Sequence, residues 1–334
     1  MAQPVGFPYN FSLREHLRRS LGAKPAELAL RAPWTEDLPG WRAALAERLA
    51  RLIALPGTLP TPEARLLDQE QGTGYTRARL ALAVAPDLAV PAYLLTPDPP
   101  PEISPAVLVL AREGAGKAAL AGELSPETET ALGPTLCQHG LRALIPDLPG
   151  CGERAGDEAG LSETLLAQGD SLVAWQAREA LALLAYLHTQ PETPPGQVGI
   201  VGLGGALWPA LLAALLAAEL KAAVFHGLLE SLAAYLIRTN CLQGSSRGDD
   251  WLVPGLLPIA DLPDLLGAVA PRPLLAAGTQ ETAGVEPVLS ATQKAYELQG
   301  CGPRCETHGE VAAEDFPALV AEFMGVWLPA RMEM

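Results

Sequence analysis

From Ala106 onward, short apolar runs alternate with helical stretches, and this alternation restricts the fold more than any other feature of the chain. AVLVLA (106–111) leads through a glycine loop to the helical ETETALGPTLCQHG, and LRALIPD (141–147) leads through LPGCGERAGD to a helical stretch from about Ser162 to His188. GQVGIVGL (196–203) precedes ALWPALLAALLAAEL, and KAAVFHG (221–227) precedes irregular helical sequence through Leu266. RPLLAAG (272–278) precedes VEPVLSATQKAYELQ, and PRCETH (303–308) precedes a C-terminal helix from about Ala313 to Leu328. Strands buried on both faces read as continuous apolar runs, and parallel neighbours need a crossover, usually a helix. The chain therefore predicts an α/β fold, with a mostly parallel central sheet and helices on both faces.

The N-terminal part reads differently. SLREHLRRSLG (12–22) has a serine cap and a glycine stop, and GWRAALAERLARLIAL (40–55) repeats apolar residues at helical spacing. RARLALAV and LAVPAYLLTP, separated by the turn at Pro86-Asp87, predict an antiparallel pair. Residues 1–75 are assigned to an N-terminal helical segment packed on the main domain, and 76–334 to the α/β domain.

A chain of 334 residues that is 49% hydrophobic can bury a sizeable core. Its formal net charge of −15 argues against nucleic acid and against an anionic membrane as partners, since both are polyanions. The first residues lack a basic segment followed by an apolar run, and LWPALLAALLAAEL is too short to span a bilayer, so a cytoplasmic location is expected. Five scattered cysteines form no disulfide framework. Cys301, Cys305 and His308 have metal-like spacing but no fourth ligand nearby, and neither a metal nor a cofactor is expected.

The most informative short motif is Gly202-Leu203-Gly204-Gly205-Ala206, a tight turn between a strand and a helix. Such turns hold either a nucleophile or a cofactor pyrophosphate. The dinucleotide reading is disfavoured. It needs a small residue where Leu207 stands and an acid at the end of the next strand, which instead ends in Phe225-His226.

Four stretches carry a resemblance: PAVLVLAREGAGK (105–117), PDLPGCGE (146–153), the run from Gly169 to Ala206, and VPGLLPIADLPDLLGAVAPRPLLAAGTQE (253–281). They resemble the α/β-hydrolase superfamily, and within it the bacterial acetyl xylan esterase and dienelactone-hydrolase-like group. The likeness runs roughly from Leu80 to Leu328, with Ala-Pro-Arg-Pro-Leu-Leu its most specific piece. It implies an ester hydrolase with a nucleophilic serine, an acid and a histidine. Gly204 occupies the serine position of Gly-x-Ser-x-Gly. By register the resemblance places the acid at Glu281, where aspartate is usual, and the base at His308. The oxyanion loop, often His-Gly-His-Gly-Gly, reads Ala111-Arg112-Glu113-Gly114-Ala115 here, so Glu113, Gly114 and Ala115, together with Gly205, are assigned to the oxyanion pocket.

The sequence thus leads to a catalytically degenerate hydrolase whose former active-site pocket binds a small molecule or a protein. The alternative is an active esterase in which His308 and Glu281 activate water. Ligand identity and oligomeric state stay open.

Overall fold

The computed structural model describes residues 12–21, 25–111, 116–123, 131–156, 160–238, 251–279 and 284–329. Helices α1 (Leu13–Leu21) and α2 (Leu38–Leu52) come first, followed by strands β1 (Glu63–Gly72), β2 (Tyr75–Ala85) and β3 (Leu88–Pro97). The alternation begins with β4 (Ala106–Ala111), α3 (Lys117–Leu120), α4 (Leu132–Gln138) and β5 (Arg142–Pro146). It continues through α5 (Leu161–Ala167), α6 (Leu172–His188), β6 (Val198–Leu203), α7 (Leu207–Leu216) and β7 (Ala222–Gly227). The last elements are α8 (Leu232–Arg238), α9 (Leu262–Ala268), β8 (Leu274–Gly278), α10 (Val285–Leu298), β9 (Cys305–His308) and α11 (Phe316–Trp327).

These strands form one nine-stranded sheet in the order β1-β2-β3-β5-β4-β6-β7-β8-β9. Every neighbouring pair from β5 to β9 is parallel, while β1, β2 and β3 are antiparallel additions on one side. The sheet has an apolar layer on each face. One is built on α2, α6, α7, α9 and α10 through side chains such as Trp41, Leu183, Leu211, Leu265 and Tyr296. The other lies under α4 and α11 and includes Leu136, Val320 and Met324. The strand order turns back at β4, which lies between β5 and β6. Open α/β sheets bind ligands at the carboxyl edge beside such a switch point, and the β6–α7 turn stands there.

Three elements differ from the sequence expectation. The stretch from Ser162 to His188 is two helices. Gly169 takes φ +78°, and Ser171 restarts the helix by accepting a hydrogen bond from Ala174 N at 3.2 Å. α7 stops at Leu216, short of the helical pattern that runs on to Leu220. The segment 1–75 contains α1 and α2 but also β1, which pairs with β2 across the 75/76 boundary. β1 is an edge strand exposed along nearly its whole length, so it shows no apolar periodicity to read.

The N-terminal region is tied to the sheet domain by backbone bonds. Leu28 N donates to Ile259 O at 2.8 Å and Leu30 N to Asp264 Oδ1 at 2.9 Å; within the N-terminal region the Trp41 indole donates to Leu28 O at 2.8 Å. Burial raises the Asp264 pKa above its ordinary value. No described helix is long and apolar enough to cross a membrane.

Candidate active site

β6 is apolar and buried up to Leu203, where the chain meets the carboxyl edge. Gly204 then takes φ +55°, a region costly for residues with a Cβ. A single tight turn, Gly204–Ala206, is closed by Leu207 N donating to Gly204 O, and α7 starts at once. Two glycines allow this compression. A Cβ on Gly202 would lie 2.5 Å from the Ala210 methyl, so α7 packs directly on β6. Gly227, at the end of β7 with φ +142°, backs onto the turn; a Cβ there would lie 3.2 Å from Gly204 Cα and 3.3 Å from its nitrogen. Gly204 and Gly205 are both partly exposed. Among the described residues, no backbone hydrogen bond outside the turn uses the Gly205 N–H.

The register lines up a row at the same level: Ala111, Leu203, His226, Ala277 and His308. Laterally paired residues of a parallel sheet point to one face, here the α11 face. His308 closes β9, three strand spacings from Leu203, about 14 Å. Its Nε2 is 2.8 Å from Glu306 Oε1, two residues back on the same face. Both side chains are about half-exposed. The other predicted site residues, Glu281, Glu113, Gly114 and Ala115, lie outside the described residues. Cys305 faces the α10 side and His308 the opposite side, because they are an odd number of positions apart on one strand. The spacing that suggested a metal is thereby broken, and among the described residues no three His, Cys, Asp or Glu side chains converge.

Two residues at this edge carried no sequence signal as functional. His226 stacks on Phe316 of α11 with ring centroids 4.2 Å apart. Its Nε2 is buried without a hydrogen-bond partner, and burial lowers its pKa. Glu230, just past β7, is buried and held by Arg238 through Nε–Oε1 at 3.0 Å and Nη2–Oε2 at 2.6 Å. A Cβ on Gly284 would lie 3.1 Å from Glu230 Cγ, so Glu230 stands where the chain resumes after residues 280–283.

The β5 turn beside the site is crowded with charge. Asp147 is fully buried. It accepts from Lys117 N at 2.8 Å, from Glu153 N at 3.0 Å and from Lys117 Nζ. Lys117 also meets Glu153 Oε1 at 2.6 Å, and Glu153 pairs with Arg79. That arginine, more than Lys117, holds the Glu153 carboxyl below its ordinary range. One carboxylate thus pins the loop entering α3 to the loop leaving β5.

Known proteins place this architecture. The chain is similar in structure to a protein of Bacteroides fragilis NCTC 9343 described as an acetyl xylan esterase, with a TM-score of 0.79 and 19% identity over 90% of this chain and 82% of that one. A glucuronoyl esterase from Solibacter usitatus gives 0.67 and 17%, over 91% and 97%. One from Teredinibacter turnerae T7901 gives 0.60 and 16%, over 87% and 85%. Likeness at such identity shows the fold. No curated protein sequence matches the chain. The family itself is shown by a family model that spans residues 22–332: this chain, with its α/β-hydrolase fold, belongs to the Abhydrolase family.

Proposed function

We propose that the chain is a catalytically degenerate, esterase-like α/β-hydrolase, and that the carboxyl edge around Gly204 binds a small molecule or a protein instead of cleaving an ester. One observation carries this reading. The position at the strand-to-helix turn, where such a fold presents its nucleophile, holds a glycine with no side chain. Nucleophilic ester hydrolysis needs an oxygen or sulfur there, a base to accept its proton, and donors for the oxyanion. Of these, the turn supplies backbone donors alone.

The His308–Glu306 pair favours a second reading, in which the imidazole activates water directly. The carboxylate contacts the ring at Nε2, which leaves Nδ1 for that task. A triad enzyme without its nucleophile retains roughly 10³–10⁴-fold acceleration over water, so this reading predicts weak turnover.

The two are separated with short-chain aryl esters. The degenerate reading expects no acyl-enzyme burst, no labelling of the turn by serine-directed phosphonates, and gain of esterase activity in Gly204→Ser that His308→Ala removes. Turnover by the unmodified protein that His308→Ala abolishes would establish the water-activating reading. A folded but inert Gly204→Ser would show that the edge has departed from hydrolase geometry beyond the loss of one oxygen.

A further inference from the structure

The amino edge of the sheet, the end opposite Gly204, carries a second feature. There a cavity of about 320 Å³ lies between α2, the end of α7 and the link from α9 to β8. Its walls are mostly apolar, with Leu45, Leu215, Leu216 and Pro271 among them, and its polar groups include the guanidiniums of Arg42 and Arg272. Arg42 Nη1 donates to Gln299 Oε1, and Arg272 Nη1 donates to Ala214 O at the end of α7. Neither makes an ion pair among the described residues, although most other arginines of the sheet domain do. Among the described residues, most of their N–H donors have no protein acceptor. None of these nitrogens is buried without a partner, and both arginines line the cavity. Arg304, whose Nη1 donates to Pro271 O at 3.0 Å, adds a third positive charge at the rim.

Two unneutralised guanidiniums facing one pocket repel each other. Burial is the main force lowering the Arg272 pKa, and the neighbouring Arg42 charge adds to it. A chain with a net charge of −15 has carboxylates to spare, yet none is supplied here. The guanidinium fork matches planar or tetrahedral oxyanions, and a dianion balances two such groups. The apolar walls call for a hydrocarbon body behind the charged head.

We propose that this pocket binds a small phosphomonoester, its phosphate held between Arg42 and Arg272 and its apolar body against Leu45, Leu215 and Leu216. The site is independent of the elbow: β6 alone, at about 3.3 Å per residue, separates the two edges by roughly 20 Å.

Phenyl phosphate is the probe, titrated calorimetrically into the full-length protein at low ionic strength. The expected result is saturable binding that inorganic phosphate reproduces more weakly and that phenol does not reproduce. Arg42→Gln, on the outer wall, should weaken it by about tenfold or more. Arg42→Glu should abolish it, since the new carboxylate pairs with Arg272 in place of the phosphate. Arg272→Gln should also abolish it; because Arg272 holds the end of α7, circular dichroism checks that this variant is folded, and Arg42→Gln decides the matter if it is not. Gly204→Ser should leave the affinity unchanged, which separates this site from the carboxyl edge. Absence of saturable binding at millimolar phenyl phosphate, or affinity unmoved by both arginine substitutions, would overturn the proposal.

Discussion

Two turns stand at the carboxyl edge, one on either side of β4, and they are built in opposite ways. The turn after β5 is filled. Asp147 sits at its centre with hydrogen bonds from two backbone N–H groups and the Lys117 ammonium. The glycines around it exist to make room: a Cβ on Gly116 or on Gly152 would lie 2.3 Å from Asp147 Oδ1. The turn after β6 is bare. Gly204 has a comparable positive φ, but it carries no side chain, and among the described residues no side chain is seen to hydrogen-bond into the turn. The difference teaches that groups holding the edge together and a group that reacts there are separate requirements. A buried carboxylate that ties two loops is costly to remove, because its partners stay buried and unsatisfied. A nucleophile in a strained conformation is costly to keep.

The contrast can be broken at several strengths. Asp147→Ala leaves the buried Lys117 with Glu153 as its carboxylate partner and strands two backbone donors, and should destabilise the fold by about 3–5 kcal/mol, read from urea unfolding. A loss below about 1 kcal/mol would mean that the β5 turn is held by something else. Gly152→Ala adds a Cβ at φ +51° against the Asp147 carboxylate and should cost about 2 kcal/mol. Gly204→Ala carries a φ penalty of about 1 kcal/mol. If the two glycine substitutions cost the same, the distinction between a filled and a bare turn fails.

The smallest effect is pH-dependent. The Glu153 pKa lies below its ordinary 4.5, first through Arg79 and then through Lys117. A depressed folded pKa adds stability above the unfolded value, and that stability is lost as pH falls through the folded one. Wild type should therefore exceed Glu153→Gln in stability at pH 7, with the gap closing as pH drops below about 4.5. The gap stays small because the Glu153 side chain is 38% exposed. A gap that widened in acid would remove Glu153 from the network.

How far the sequence reveals all this depends on the range of the interactions. β4 to β8 were legible because each is a short apolar run between helical patterns, and the polar β9 by its place between two such patterns. The Gly204 turn was legible because it lies within nineteen residues of chain, Val198 to Leu216, between the two elements that it joins. β1 was not, since an exposed edge strand such as EARLLDQEQG has no buried face to imprint a period. Asp147 looked like part of a turn; its hold on Lys117, thirty positions away, appears only when β4 and β5 lie side by side. His308 was picked by register, but its partner Glu306 was passed over, because two residues apart becomes one face only once the segment is a strand. That Arg42 and Arg272 line one cavity has no local signature at all. It joins α2 to the start of β8 across most of the chain.

The contact between Gly227 and Gly204 bears on how this protein can change over time. Gly227 is the backstop of the elbow, and its missing methyl is the clearance that lets the turn keep its shape. Any substitution at 227 pushes against the Gly204 backbone, so the two positions form an epistatic pair, although neither presents a side chain to the other. While 227 stays glycine, a serine can return to 204 by a single amino-acid change. Once a side chain settles at 227, the elbow must shift to accommodate it, and the same reversion then arrives in a turn that no longer aims it. A vacant position is reversible for as long as its neighbour stays vacant too, and drift at 227 acts as a ratchet on the history of this fold.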